Sequence, residues 1–390
     1  MILFLHHRYR TTGGEEQAVD NLMWLVREHL GEDAEVLQRD SAAVRGLPAA
    51  AGMLWGGLHP DEVARAVRHT RARVVHAHNL HPTYGWRALA AARGAGAAIV
   101  LHLHQYRMVC AIGVCFRDGH ECTRCHGRNT LPGVLLNCRG GSAGEAIAYG
   151  AGLALWQRRI AAHVDTFVVP SRFAQARLRD LGAPVAASIV LRHPMRELAA
   201  EPTATPGGHA LITSRLVPEK GIEVAIKACR IAGVPLVVAG DGPERDRLAR
   251  HRDHSELWRE QSHRHAQDVT FVGQVPPSQL PQLRRGAALA LVPSLVAENL
   301  PMAAAEAMAA GLPVAGSRVG GLPELVPEIW LATPGDATEL AAVITGITAD
   351  RTAGARALAR AREVTSPEVI APALAAVYER AESQRSRTAG

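Results

Sequence analysis

Residues 298–308 read Glu-Asn-Leu-Pro-Met-Ala-Ala-Ala-Glu-Ala-Met and come shortly after the apolar run 289–292. The run has the length of a buried strand, and Pro301 suits the first turn of a helix, where its missing N–H is not needed. The stretch therefore predicts a strand, a loop that carries Glu298 and a helix that carries Glu306. Units of this kind build α/β folds with parallel sheets.

The two carboxylates in this stretch suit a sugar and a ribose. Glu298 on the loop can accept hydrogen bonds from sugar hydroxyls, and Glu306 in the helix can accept from both hydroxyls of a ribose. The backbone N–H groups at the helix start favour phosphate, which makes Asn299 and Leu300 candidate donor-binding residues. A surface glutamate is the alternative for Glu306, but its neighbours between 303 and 310 are all small or apolar.

A loop with two cations follows the predicted strand 210–213. Residues 215–221 read Arg-Leu-Val-Pro-Glu-Lys-Gly, and Lys220 is one of only two lysines in the chain, the other being Lys227. A helix start with two cations favours a diphosphate, so Arg215 and Lys220 are predicted to stabilise a departing nucleoside diphosphate. A solvated loop before a capped helix is the alternative. Glycines at the ends of the next strands let the backbone approach a ligand or make ordinary turns: Gly240, Gly242 and Gly273.

Apolar runs alternate with segments of helical length in both halves of the 390-residue chain, which predicts two doubly wound domains. We expect an N-terminal domain over residues 1–196, a linker over 197–208, a second domain over 209–365 and a C-terminal helix over 366–390 that packs on the first domain. Ligands bind such sheets at the carboxyl ends of strands, so a cleft between the domains is the expected site. The predicted strands are 2–5, 34–37, 74–76, 98–103 and 166–169, then 210–213, 235–239, 269–272, 289–292, 314–316 and 329–331.

The N-terminal half offers a glycine loop and two histidine pairs. Gly13 and Gly14 open a predicted helix, where their amides can meet phosphate or sugar. His76 and His78 end one strand, and His102 and His104 end another. With an ordinary pKa near neutrality, a histidine there can contact the donor sugar or move a proton of the acceptor. Satisfied histidines at a strand end are the alternative.

Five of the six cysteines lie in the loop at about 106–140, which lacks apolar periodicity. Four of them could form a closed thiolate site for a structural zinc ion in a reducing compartment, with Cys115 or His126 as substitutes for one ligand. Disulfides and free thiols are the alternatives. The four candidate ligands are Cys110, Cys122, Cys125 and Cys138.

Taken together, these motifs resemble the retaining glycosyltransferases of family 4, also called glycosyl transferases group 1, over nearly the whole chain. The hallmark of that family is two glutamates separated by seven residues, as Glu298 and Glu306 are. The resemblance also rests on residues 215–221, 240–242 and 271–273. It implies a GT-B fold, with two facing Rossmann-like domains and an interdomain cleft. Asn299 departs from the glycine that many members have there.

The resemblance implies transfer of a hexose-type sugar from a nucleoside-diphosphate sugar, with retention of anomeric configuration and without a catalytic metal or other cofactor. UDP is favoured because the family mostly uses it. Arg215 and Lys220 would hold the diphosphate, Glu298 would contact the donor sugar, and Glu306 would bind ribose. The acceptor stays open between a saccharide, a lipid-linked sugar and a small molecule.

The same resemblance matches Gly13 and Gly14 to the family's N-terminal glycine loop. It also matches His104 to the histidine of the cleft, although Gln105 stands where Asp or Asn often follows. Both features fall in the half that is expected to bind the acceptor.

Composition argues against several alternative functions and partners. The formal charge of +6 is spread along the chain and aromatic residues make up 4%, so nucleic acid is not an expected partner. A pyridoxal-dependent phosphorylase is disfavoured, because it would need a lysine for its cofactor and only Lys220 and Lys227 are available. A nucleotide-sugar epimerase of the same fold and a non-catalytic nucleotide-sugar-binding protein remain as rivals. We expect a cytoplasmic protein, with peripheral association at the inner face of the membrane as a variant.

Overall fold

The computed structural model describes residues 1–9, 13–44, 46–140, 142–185, 187–253 and 269–389, without side chains at 251–253 and 389. It contains two compact units. Unit 1 comprises Met1–Arg117, Glu121–Arg196 and Pro367–Gly390, and unit 2 comprises Asp118–His120 and Glu197–Ser366. The histidine-rich stretch 251–267, a weak metal-binding candidate by composition, lies almost entirely outside the described residues.

Unit 1 holds a six-stranded parallel sheet in the order β2-β1-β3-β4-β7-β8, with helices along the chain between the strands. Its strands are β1 (Ile2–Arg8), β2 (Ala34–Asp40), β3 (Val74–Ala77), β4 (Ala98–His102), β7 (Thr166–Val169) and β8 (Ile189–Val190); β5 (Phe116–Arg117) and β6 (His120–Glu121) form a separate pair. Its helices are α1 (Gly14–His29), α2 (Leu47–Trp55), α3 (Pro60–Thr70), α4 (Gly85–Gly94), α5 (Leu131–Leu135), α6 (Ala143–Ala162), α7 (Arg172–Asp180) and α14 (Pro367–Ala389).

The first strand shows why helices cover both faces of this sheet. Side chains alternate along a strand, and every side chain from Ile2 to Leu5 is apolar and buried. Leu3 and Leu5 belong to a core with residues of α3 and α4, whereas Ile2 and Phe4 belong to a core with residues of α1 and α14. Helix α14 therefore completes the core of unit 1, although it is the last element of the chain.

Unit 2 holds a second six-stranded parallel sheet, in the order β11-β10-β9-β12-β13-β14. Its strands are β9 (His209–Thr213), β10 (Leu236–Ala239), β11 (Val269–Gly273), β12 (Ala287–Val292), β13 (Val314–Ser317) and β14 (Leu331–Ala332). Its helices are α8 (Ile222–Ala232), α9 (Arg245–Asp253), α10 (Leu280–Arg285), α11 (Met302–Ala309), α12 (Ala337–Ala349) and α13 (Ala353–Thr365).

The predicted α/β class with two doubly wound domains is confirmed, and three local predictions are corrected. Strand β8 was not predicted, because two apolar residues give no periodicity. Most of the predicted strand 329–331 is a 3₁₀ turn over Glu328–Trp330, and only its last residue enters β14. Pro301 is the N-cap of α11 in an extended conformation and not its first helical residue.

Candidate functional site

Two loops of unit 2 meet at the carboxyl ends of neighbouring strands β9 and β12. The loop after β9 carries Lys220 and ends at Gly221, whose φ of 65° lies in the left-handed region. A Cβ on Gly221 would lie 2.0 Å from the carbonyl oxygen of Pro293, in the loop after β12. The backbone N–H of Leu295 also donates to the carbonyl of Glu219 at 2.9 Å. This close approach requires glycine, and it brings the two sequence motifs together.

An ion pair joins the two motifs. The ammonium of Lys220 donates to Oε2 of Glu298 at 2.5 Å, and the hydroxyl of Ser294 donates to Oε1. Each side chain of the pair is about one-fifth exposed. Burial alone would raise the pKa of Glu298, but the charge and hydrogen bond of Lys220, with Ser294, outweigh it and hold that pKa below its ordinary value. Glu298 is therefore a carboxylate at neutral pH.

Arg215 and Glu306 lie in the same unit but have different environments. Arg215 follows β9 and is close enough to Glu298 for its charge to favour the carboxylate form. Glu306 lies in α11 and is ion-paired with Arg284 of α10, both side chains being largely buried. Sequence reasoning missed Arg284, because 22 residues separate it from Glu306 and no local pattern links the two.

Three predicted glycines bring further loops to this end of the sheet. Gly240 has a φ of 142°, and a Cβ there would lie 1.8 Å from the carbonyl oxygen of Ser214. A Cβ on Gly242 would likewise lie 2.3 Å from the carbonyl oxygen of Leu216. The backbone N–H of Gly240 donates to the carbonyl of Gly273 at 2.7 Å. The loops after β9, β10 and β11 are thus packed backbone to backbone.

The remaining residues of the predicted donor site are placed differently. Asn299 and Leu300 are buried in the loop before α11. Gly13 is the N-cap of α1, where its N–H donates to Glu16 at 2.8 Å, and Gly14 is the first residue of that helix. Gly13 and Gly14 thus belong to unit 1, whereas Asn299 and Leu300 belong to unit 2.

His104 lies within a buried cluster of histidines in unit 1. Its ring stacks on those of His102 and His193, with centroids 4.3 and 5.3 Å apart, and its Nε2 lies 2.7 Å from Nδ1 of His78. Burial first, and the nearby imidazoles of His193, His6 and His76 next, lower the pKa of His104 well below its ordinary value. The expectation of a pKa near neutrality is therefore wrong, and His104 is neutral at physiological pH.

A pocket of unit 1 adjoins the histidine cluster. Its empty space of about 370 Å³ lies partly in open solvent, and the space that it encloses is much smaller. Its lining includes Tyr9, Glu15, His104, Gln105 and Arg107. The combination of a carboxyl group, a phenol, an imidazole, an amide and a guanidinium offers both donors and acceptors to a polyhydroxylated ligand.

Glu15 is one of the residues of this pocket that sequence reasoning missed, with Tyr9 and Arg107. Its position in the first turn of α1 has an adequate local explanation, since acidic residues stabilise helix N-termini. In the structure its side chain is 7% exposed, and its Oε1 lies 3.8 Å from Nδ1 of His6. Burial raises the pKa of Glu15 to about 7, although His6 and Arg107 favour the charged form. Glu15 can therefore both give and take a proton near neutral pH.

Replacing Glu15 with glutamine is expected to change how stability depends on pH. A carboxyl whose folded pKa is raised contributes most stability below its unfolded pKa of 4.5 and loses that contribution as pH rises through about 7. Glu15→Gln should therefore gain about 3 kcal/mol of unfolding free energy relative to wild type between pH 4.5 and pH 8. Urea denaturation at several pH values measures this difference. Glu28→Gln, at an exposed position of the same helix, should show little change, and equal curves for both variants would refute the shifted pKa.

The cysteine-bearing stretch contains β5, β6 and the short helix α5. Cys110 hydrogen-bonds Cys115, and Cys138 lies near Arg117 with Sγ 3.7 Å from Nη1. Two groups of three potential metal ligands have binding atoms within 4.8 Å of one another in the described part of the chain, and both consist of histidines. The sulfurs of Cys110, Cys122, Cys125 and Cys138 form no such group there, so the zinc site stays a prediction.

Two families match the chain, one in each half. The profile described as Glycosyl transferases group 1 matches residues 200–364, and that described as Glycosyl transferase 4-like domain matches residues 13–193. Two ranges of the chain are therefore similar to glycosyltransferase domains. They correspond closely to units 2 and 1, and within the described residues no helix is both long and apolar enough to cross a membrane.

Related proteins and structures support these domain assignments. The amylovoran biosynthesis glycosyltransferase AmsK of Erwinia amylovora is 35% identical over 147 residues, which is 34% of either chain. The matched segment therefore spans about a third of that relative. Anabaena HepE in complex with UDP has a TM-score of 0.61 at 19% identity, covering 97% of this chain and 99% of its own. Sucrose-phosphate synthase from Thermosynechococcus elongatus has a TM-score of 0.65 at 20% identity, covering 97% and 98%. At these identities the structures establish the GT-B fold.

Proposed function

We propose that this protein is a retaining glycosyltransferase that moves a hexose-type sugar from a UDP-sugar to a hydroxyl-bearing acceptor. The observation that carries the proposal is the Lys220–Glu298 pair, in which a partly buried ammonium and a carboxylate lie where the loops after β9 and β12 meet. A diphosphate and a sugar hydroxyl are the groups that these two side chains would bind. The UDP bound to Anabaena HepE supports the choice of donor.

Charge stabilisation of the leaving diphosphate is the main task assigned to unit 2. On donor binding, Lys220 and Arg215 would bind the phosphate oxygens, where negative charge grows as the bond to the sugar breaks. Glu298, released from Lys220, would accept hydrogen bonds from the sugar and fix its orientation. An oxygen of the leaving diphosphate is the base that this scheme gives to the acceptor hydroxyl. The scheme uses no catalytic metal ion and no cofactor.

Glu306 is the proposed ribose ligand. Its ion pair with Arg284 holds the carboxylate in one orientation within a largely buried setting. A fixed carboxylate can accept from both hydroxyls of a ribose at a small entropic cost.

The acceptor is proposed to bind in the pocket of unit 1 lined by Tyr9, Glu15, His104 and Arg107. Its donors and acceptors suit sugar hydroxyls, whether the sugar is free, part of a polysaccharide or linked to a lipid. Glu15 and His104 would then orient the attacking hydroxyl.

Proton NMR of reactions with UDP-sugars tests the proposal. An α-linked donor should yield UDP and an α-linked product, identified by the coupling constant of the anomeric proton. A β-linked product would contradict retention. Conversion of the donor to an isomer without UDP release would identify an epimerase. Binding without turnover for every donor and acceptor would identify a nucleotide-sugar-binding protein.

We also propose that Cys110, Cys122, Cys125 and Cys138 bind a structural zinc ion. Four thiolates on one ion would add folding free energy to a stretch whose regular structure is limited to β5, β6 and the short helix α5. Cys122→Ser should lower the zinc content of the purified protein by one equivalent and lower its melting temperature. Cys229→Ser, at a buried thiol of unit 2, should leave the zinc content unchanged. Equal zinc content in both variants would refute this site.

A further inference from the structure

Three buried histidines of unit 1 lie together, and several of their ring nitrogens have no hydrogen-bond partner among the described residues. His76 is on β3, His78 is one residue beyond it, and His102 ends the neighbouring strand β4. All three are at most 3% exposed. One ring nitrogen from each lies within 4.8 Å of the other two.

The unsatisfied atoms in this group are ring nitrogens. Among the described residues, Nε2 of His76, Nε2 of His78 and both nitrogens of His102 are buried without a hydrogen-bond partner. Buried polar atoms are nearly always paired with protein, water or an ion. A neutral imidazole offers one lone pair, so three lone pairs, one from each ring, are available here to a ligand that accepts them.

The other ring nitrogen of His76 and that of His78 already have hydrogen-bond partners. Nδ1 of His76 lies 3.0 Å from the hydroxyl of Tyr378, and Nδ1 of His78 lies 2.7 Å from Nε2 of His104. Histidines that bind metals usually donate their second N–H to such a partner, which fixes the tautomer and leaves the first nitrogen as a ligand. An imidazole this deeply buried is neutral, which is the form that binds metals.

We propose that His76, His78 and His102 bind one divalent first-row transition-metal ion, and that Zn²⁺ is its physiological form. Imidazole ligands suit zinc, copper and nickel, whereas magnesium and calcium prefer oxygen. His78 and His102 also line the pocket of unit 1, so water has access to the fourth ligand position. This site is separate from the cysteine site and does not depend on the proposed transferase reaction.

Metal binding requires the rings to turn. The three rings are stacked nearly parallel, with interplanar angles of 7° to 27°, whereas imidazole lone pairs point outward in the ring plane. A tetrahedral zinc ion would bring the nitrogens to about 3.3 Å from one another. The ion should therefore replace the stack with three converging rings.

The ion would also determine which ring nitrogen of His104 carries the proton. With Nε2 of His78 on the metal, the proton of His78 is on Nδ1 and is donated to Nε2 of His104. The proton of His104 is then on Nδ1, and His104 acts as a hydrogen-bond donor in the pocket, not as a base. The metal ion thus makes His104 a positioning group for a ligand oxygen.

Cobalt and zinc titrations of the full chain test the proposal. The background is Cys122→Ser with Cys125→Ser, so that the proposed four-cysteine site cannot form. In that background we expect one Co²⁺ per chain, with visible d–d bands but without the sulfur-to-cobalt charge-transfer band of a thiolate site. X-ray absorption of the zinc form should give imidazole nitrogens at about 2.0 Å.

His102→Asn, added to the same background, should abolish cobalt binding. The matched control His163→Ala, at a histidine stacked on Trp86 outside the cluster, should bind one equivalent as before. Circular dichroism verifies that each variant is folded, and the X-ray absorption result applies even if His102→Asn does not fold. A background protein that binds no cobalt or zinc, or a His102→Asn variant that binds as tightly as its parent, would overturn the proposal.

Discussion

Replacing Lys220 with glutamine is expected to lower kcat by about 10²- to 10³-fold, the usual effect of removing one group that stabilises transition-state charge. The substitution removes the ammonium that the proposed mechanism assigns to the leaving diphosphate. The chain supplies a matched control, because Lys227 is its only other lysine. Lys227 is 59% exposed and pairs with Glu223 four residues earlier, so Lys227→Gln should change kcat less than twofold.

The same substitution should destabilise unit 2. Without Lys220, the partly buried carboxylate of Glu298 loses its counter-ion, and breaking such a pair costs up to about 3 kcal/mol. In wild type the depressed pKa of Glu298 contributes stability above about pH 4.5, which is lost as pH falls through the folded pKa. Lys220→Gln should therefore be least stable, relative to wild type, at neutral pH. Steady-state kinetics measures the change in kcat, and urea denaturation measures the change in unfolding free energy. A Lys220→Gln variant with the kcat and the stability of wild type would contradict the proposed role of the pair.

Replacing Gly221 with alanine is expected to cost about 3 kcal/mol or more of unfolding free energy and to lower activity at least tenfold. The added methyl group would lie 2.0 Å from the carbonyl oxygen of Pro293, so the loop of Lys220 and the loop of Glu298 must separate. Gly233 is the control, because its φ of 68° matches the 65° of Gly221 while no atom of the described residues lies within 4 Å of its added methyl.

Gly233→Ala should cost only about 1 kcal/mol, the backbone penalty for a left-handed residue. The difference between the two variants isolates the contact between the loops. Chemical denaturation and a UDP-release assay provide the two measurements. Equal costs would show that the loops can separate freely, which would contradict a site that depends on their contact.

The sequence predicted the fold well, and it placed the residues of the proposed donor site on the loops and helix where the structure has them, because those signals are local. Apolar runs predicted the strands, and glycines at their ends predicted tight backbone approaches such as that of Gly240 to Ser214. The spacing of Glu298 and Glu306 placed one carboxylate on a loop and the other in a helix, as the structure has them.

The remaining features depend on contacts between distant parts of the chain. Glu306 pairs with Arg284 only because α10 and α11 are neighbours in space. His104 meets His193 because β4, β7 and β8 are adjacent in the sheet, and β8 is too short to be predicted from periodicity. The sequence explains Glu15 as an acidic residue of a helix N-terminus, and only the structure shows that its side chain is buried beside His6.

Thermal melting of the protein with UDP, GDP, ADP and CDP tests the central claim, a nucleoside-diphosphate site in unit 2, most directly. Ligand at about 100 times its dissociation constant adds about 2.7 kcal/mol to the unfolding free energy. We expect UDP to raise the melting temperature of wild type and of Glu363→Ala, an exposed glutamate of the same unit, but not of Glu306→Ala. A wild-type melt that none of the four diphosphates changes, or an unaltered UDP response in Glu306→Ala, would contradict the account.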